Sequence, residues 1–348
     1  MTSGSGRRRV LVVRLDSMGD VLMSGPAVRA VAAREDTEVW YLAGPRGRSA
    51  ARLLPGIDEL RVIGIPWITA VDRPVDAALV AEVDALVEEC RPEEAIILTA
   101  AHQSPLPIAL LLRLAGVPRI LGASVEASAG LLDGRWIPGE TFPEDVPEPE
   151  RNLAIVRLAG YELPEGDDGR LHVTLPDERP AGLPDRYVAV HPGAQYPARE
   201  YPAHHFAEVV RLLAETGHTV VVTGGDHERE LTAQVAGDAG IDLGGAYDLT
   251  GTAQVLAGAS VVVVGNTGPA HLAAAVGRPI VSLFSAVVPP ERWAPYGVPV
   301  ELLGDRTAAC RGSRATLCPV AGHPCLTSVA PSAVVAATER LLALDPAA

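Results

Sequence analysis

The sequence predicts an α/β protein with two doubly wound parallel-sheet domains. Three observations predict it. Short apolar runs alternate with amphipathic stretches along the chain, the pattern of parallel strands covered by helices on both faces. Some runs are apolar without a break, as in VVVVGNTGPAHLAAAVG at residues 261–277, which marks strands buried on both sides. An acidic, glycine-rich stretch at 165–170, with prolines at 176, 180 and 184, separates two such series. A chain of 348 residues has room for both. The expected domains are 1–170 and 186–331, with a linker at 171–185 and a C-terminal helix and tail at 332–348.

In the first half, Arg9–Val13 reads as a strand, Val21–Ala33 as a helix and Thr37–Leu42 as a second strand closed by Gly44-Pro45. Leu60–Ile63 follows as a strand, Ala77–Cys90 as an amphipathic helix and Glu94–Thr99 as another strand. Leu106–Leu114 is helical and Arg119–Leu121 a short strand. The proline-rich tract 138–150 then leads into a helix from Arg151 to Gly160. The second half starts afresh with strands at Tyr187–His191, Thr219–Thr223, Val261–Val264 and Ile280–Phe284. Helices are expected at His204–Glu215, Glu228–Gly237, Ala270–Val276 and Ser332–Leu344.

Composition excludes several classes. No apolar run approaches the ~18 residues of a membrane span. The basic start is followed by too short an apolar run for a signal peptide, so a cytoplasmic protein is expected. A net charge of −14 argues against a nucleic-acid surface. Arg7–Arg9 could touch anionic headgroups, a peripheral membrane contact at most, but basic residues beside a strand read first as its solvated flank. Cys310, Cys318 and Cys325 with His323 have the residue types of a zinc site. Their spacings of seven and six intervening residues contain no C-x₂-C pair, so reduced thiols and no metal are expected.

Ligands of doubly wound sheets bind outside the carboxyl ends of the strands. The polar hinges at 14–20, 191–199, 223–228 and 265–271 all follow expected strands. The first, RLDSMGD, lacks the glycine spacing of a dinucleotide fingerprint, and a lysine-free chain has no P-loop. Asp20 fits a helix cap or a general base, with Asp16 as a second candidate. Thr267 and Gly268 stand where a helix begins and would cap it or receive a phosphate. Asp16, with His102 and Gln103 in HQSPLP, could also meet acceptor hydroxyls.

The pair RLDSMGDVL and GNTGPAHLAAAVGRPIVSLF resembles glycosyltransferase family 9, the heptosyltransferase family. HPGAQYPAREYPAHHF, TGGDHE, ERWAPYG and the CP…HPCL ending fall in that family's order, so the resemblance spans nearly the whole chain. It implies a GT-B fold, two Rossmann-like domains facing a central cleft. Acceptor would bind the N-terminal domain and nucleotide-sugar the C-terminal one, with inversion at the sugar and no cofactor or metal. The resemblance places the catalytic aspartate on Asp20, a phosphate-contacting cation on Arg199 and the ribose-holding glutamate on Glu228. Thr267, Gly268 and His271 match the phosphate-binding residues, and Asn266 stands where the family has an aspartate facing the sugar.

The function implied is metal-independent transfer of a heptose, from ADP-heptose first of all, to an acceptor hydroxyl on a glycan or a specialised metabolite. The alternatives are a donor other than heptose and a nucleotide-sugar-binding partner without turnover, for which a retained Asp20 would be superfluous.

Overall fold

A computed structural model of the chain describes residues 7–68 and 73–344. It divides into two units, with the boundary between Thr174 and Leu175. Residues 1–6 and the expected tail beyond Leu344 lie outside the described residues.

The first unit contains β1 (Arg8–Arg14), β2 (Thr37–Ala43), β3 (Glu59–Val62), β4 (Glu94–Ile97), β5 (Ile120–Ala123) and β6 (Gly134–Trp136). They form one parallel sheet in the order β3-β2-β1-β4-β5-β6. The second unit contains β7 (Val188–His191), β8 (Val220–Gly224), β9 (Ile241–Gly244), β10 (Val261–Gly265), β11 (Ile280–Leu283) and β12 (Val300–Leu303). Their order, β12-β11-β10-β7-β8-β9, is the same winding repeated. In each sheet the first and fourth strands in sequence are neighbours and the winding reverses between them, which is where such folds bind ligands.

The unbroken apolar runs occupy the sheet centres: Val10–Val13 and Val261–Val264 are buried throughout. Helix Ala203–Glu215 covers the second sheet with Phe206, Val209, Val210 and Leu213, spaced as one helical face. Each such side chain contributes about 1.5–3 kcal/mol by leaving water.

Several boundaries differ from the expectation. The single helix Val21–Ala33 is two helices, Met18–Met23 and Gly25–Ala32. Pro26 has no N–H to continue the ladder, and the Ser24 hydroxyl donates to the Val21 carbonyl at 2.6 Å. The helix expected from Arg151 starts at Glu148, because prolines 147 and 149 open a helix and do not prolong a loop. Strands β6, β9 and β12 and helix Pro290–Trp293 have no counterpart in the expected series. The expected linker does not hang free: the Thr174 amide donates to the Leu53 carbonyl at 2.8 Å, and Gln254 Nε2 donates to the Pro176 carbonyl at 3.2 Å. Helix Pro331–Leu342 likewise places Val334, Ala337 and Leu341 in the second unit's core.

Candidate functional site

In the first unit the chain leaves β1 through Arg14, Leu15 and Asp16 and enters helix Met18–Met23. Ser17 holds the cap position without a side-chain cap bond, and Asp20 lies inside the first turn. Its carboxylate is turned to Arg14 Nη2 at 3.1 Å, so capping does not explain it. Arg14 is wholly buried. Its Nε lies 2.8 Å from Asp16, and its Nη1 lies 3.6 Å from Glu148 and 3.4 Å from Asn152 Oδ1. Asn152 Nδ2 in turn donates to the Met23 carbonyl at 3.1 Å, tying helix Glu148–Arg157 to the helix that carries Asp20.

Gln103, from the turn after β4, donates its side-chain amide to Asp16 Oδ1. That bond joins the ends of β1 and β4, the strands flanking the winding reversal. Asp16 is therefore buried in the framework of the hinge, while His102 beside it is exposed. Asp16 and Gln103, both expected to meet an acceptor, contact each other, and Asp16 also faces Arg14. Burial pushes the Asp16 carboxyl up to about 6, against the pull of Arg14 and with Asp20 and Glu148 adding to the rise. Burial likewise raises Glu148, opposed by Arg14 and Arg151. Burial alone would lower the Arg14 guanidinium, but Asp16, Asp20 and Glu148 outweigh it and raise it.

Arg7, Arg8 and Arg9 do not present free charge at the N-terminal ends of the strands. Arg7 meets Asp58 at 3.1 Å, Arg8 meets Glu94 at 3.2 Å and Arg9 meets Glu38 at 3.0 Å.

The second unit gathers a different set at its strand ends. β7 ends at His191, whose Nδ1 lies 3.1 Å from Thr223 Oγ1 on β8. Glu228 closes the turn Asp226–Glu228, and its Oε2 accepts the Gly225 amide at 2.7 Å. The 3.8 Å approach of His191 Nε2 to Glu228 is not an ion pair, since burial lowers the histidine and outweighs the carboxylate. Gly193 makes room for this carboxylate: a Cβ there would lie 1.8 Å from Glu228 Oε1.

Asn266 follows β10, and its Oδ1 accepts the Ser285 amide at 3.3 Å. The Ser285 hydroxyl donates to the Ala198 carbonyl at 2.6 Å, which ties the turn Pro197–Arg199 to the ends of β10 and β11. The Arg199 backbone carbonyl is thereby held near Gly265, while its guanidinium lies over Tyr196 at 5.3 Å. Helix Gly268–Ala275 begins immediately after Thr267, whose side chain makes no cap bond. The Thr267 amide donates to the Gly265 carbonyl at 3.0 Å, so of the expected amide pair it is Gly268 that opens the helix. Pro269 has no N–H and His271 is buried one turn along. The N-terminus of this helix carries the positive end of its dipole, which favours an anion.

Among the described residues no group of three or more His, Cys, Asp or Glu is placed to hold a metal ion. Cys310 and Cys325 are buried in the second core, and Cys318 Sγ donates to the Val320 carbonyl at 3.3 Å. Arg14, Glu148, Asn152, His191 and Ser285 escaped the sequence reading. An arginine ending an apolar strand was the available signal for Arg14, whereas nothing in PEPERN sets Glu148 apart from its acidic neighbours.

Two Rossmann-type units, each a six-stranded parallel sheet with polar residues gathered at its strand ends, are the architecture of a GT-B glycosyltransferase. The family model for glycosyltransferase family 9 (heptosyltransferase) matches residues 109–321, and the chain belongs to that family. It is 26% identical over 314 residues to lipopolysaccharide heptosyltransferase 2 of Escherichia coli, covering 81% of this chain and 84% of that one. With lipopolysaccharide heptosyltransferase 1 of Pseudomonas aeruginosa it shares 29% over 308 residues, 81% of this chain and 79% of the other. In structure it resembles a family 9 glycosyltransferase from Veillonella parvula, with a TM-score of 0.80, 18% identity and 99% of both chains covered. E. coli ADP-heptose lipopolysaccharide heptosyltransferase II superposes with a TM-score of 0.71 at 22% identity, over 97% of this chain and 99% of that one. The protein is a glycosyltransferase of the heptosyltransferase family with a GT-B fold.

Proposed function

We propose that the protein moves a heptose from ADP-heptose to an acceptor hydroxyl on a glycan or a specialised metabolite, with inversion and without a metal or cofactor, in the cytoplasm. The observation that carries the chemistry is the Asp20 carboxylate, withdrawn from capping and held at 3.1 Å by Arg14 at the mouth of the first sheet. The acceptor hydroxyl gives its proton to Asp20 as its oxygen bonds to the anomeric carbon. The bond from that carbon to the diphosphate oxygen breaks, and ADP leaves with the electron pair. Arg199, the Gly268 amide and the helix dipole meet the charge that develops on the phosphate, the task a divalent ion performs elsewhere. Glu228, fixed by the Gly225 amide, accepts from the ribose hydroxyls. The first unit thus takes the acceptor and the second the donor.

The choice of ADP-heptose is supported by relatives named lipopolysaccharide heptosyltransferases and by a similar E. coli heptosyltransferase solved with ADP. A thermal-shift screen of ADP-heptose, ADP-glucose, GDP-heptose and UDP-sugars tests it. The true donor at a hundred times its Kd stabilises the fold by about 2.7 kcal/mol. A larger shift with a UDP-sugar than with ADP-heptose overturns the donor assignment, and loss of ADP release in EDTA overturns metal independence.

A further inference from the structure

Three nitrogens of Arg14 face three different acids from three different segments. Nε meets Asp16 of the turn after β1, Nη2 meets Asp20 of helix Met18–Met23, and Nη1 meets Glu148 at the start of helix Glu148–Arg157. Asn152 adds a contact to Nη1 and binds the last carbonyl of the Asp20 helix. The three acids differ in access: the Asp20 side chain is 22% exposed, against 5% for Asp16 and 0% for Glu148. Only Asp20 opens outward.

The far end of the same sheet shows what a buried ion cluster looks like when it only closes the fold. There Glu94, also fully buried, meets two arginines, Arg8 at 3.2 Å and Arg119 at 2.7 Å, both of them partly exposed. Arg8 also meets the exposed Glu93 at 3.7 Å, so cations and anions balance and water reaches the outer members. Around Arg14 three acids share one guanidinium, and two of them, Asp16 and Glu148, are buried. Arg151 is the other buried cation near Glu148, and it also stacks over Trp136 at 4.9 Å. An arrangement so costly to desolvate points to a task beyond stability.

We propose that Arg14 and Glu148 are a positioning pair for Asp20: Glu148 anchors the guanidinium from behind, so that one fixed edge holds the Asp20 carboxylate toward the acceptor. The long arginine side chain has several rotamers to lose, and a planar fork whose other nitrogens face buried acids presents the last one in a single direction. Its charge is divided among three acids, so Asp20 is held without a private counter-ion. This proposal rests on Asp20 being the base.

Three proteins are compared in single-turnover ADP release from ADP-heptose with water as acceptor: wild type, Glu148→Gln and Asp20→Asn. Glu148→Gln is nearly isosteric and retains a carbonyl for the Ala101 amide, which Glu148 now accepts at 3.3 Å. The expected result is a rate about 10- to 100-fold below wild type, the scale of a misplacement near 1 Å, with ADP affinity by calorimetry unchanged. The guanidinium also reports directly: slowly exchanging ¹⁵Nη–Hη signals of a pinned arginine are expected in wild type and lost in Glu148→Gln. A Glu148→Gln protein at wild-type rate with its arginine signal intact, beside a crippled Asp20→Asn, overturns the pair and leaves the base standing. A wild-type rate in Asp20→Asn removes both. Loss of ADP affinity in step with the rate in Glu148→Gln overturns the pair as general damage. If Glu148→Gln does not fold, Glu148→Asp keeps the charge and withdraws it by one methylene. The same fall in rate is then expected, and a wild-type rate overturns the pair.

Discussion

The two sheets share a winding order and a Val-rich centre, yet their strand ends carry opposite chemistry. The first gathers Asp16, Asp20 and Glu148 about one buried arginine. The second offers a helix N-terminus, Arg199 and a single fixed carboxylate on Glu228. Topology sets where a ligand goes, and the residues placed there set what kind. In the proposed reaction the acid-rich mouth removes the proton and the other mouth meets the departing diphosphate.

Substitutions that affect one mouth and spare the other sharpen this division. The largest effect is expected for Asp20→Asn. Turnover falls by about 10²–10⁴-fold, the usual worth of a positioned base, with ADP affinity by calorimetry unchanged. A loss of ADP affinity in that variant would break the division, because the donor would then depend on the first sheet.

Arg199→Ala is the converse. A charge-assisted contact of about 1.5–3 kcal/mol is lost, so the Kd for ADP rises by about 10- to 100-fold. An unchanged Kd removes Arg199 from the phosphate site.

Gly193→Ala probes the same mouth through space alone. Its Cβ would overlap Glu228 Oε1 at 1.8 Å, so the carboxylate must swing away from the Gly225 amide. ADP affinity is expected to fall by about tenfold, roughly 1.4 kcal/mol, and Gly193→Ala combined with Glu228→Ala should fall no further than Glu228→Ala alone. Additive losses in that cycle would show that Gly193 acts by another route.

The smallest effect is in stability against pH. Burial raises the Asp16 carboxyl from an ordinary value of 3.8 to about 6, so the folded chain holds this proton more tightly than the unfolded one. The stability it contributes is complete below the unfolded value and is lost as pH rises toward about 6. Wild type should therefore lose melting temperature relative to Asp16→Asn between about pH 4 and 6, and run parallel to it above. Parallel curves across the whole range would mean that Arg14 fully offsets the burial.

The sequence by itself determined the winding and the hinges. Unbroken runs such as Val261–Val264 bury on both faces wherever they lie, and glycine and proline punctuate them locally, so strand and helix order was legible. The placement of Asp20, Arg199, Glu228 and Thr267 in the hinges that follow strands was legible, because each hinge follows directly on an apolar run. Short edge elements such as β6, β9 and β12 were not, because β9 and β12 are only partly buried and carry no long apolar run. Tertiary structure alone decided the partners. Arg14 and Glu148 are separated by more than a hundred residues, and only packing of helix Glu148–Arg157 brings them to 3.6 Å. The same packing buries Asp16 beside Arg14, a pairing that its place in the chain does not announce, since a desolvated carboxylate is held by the nearest cation.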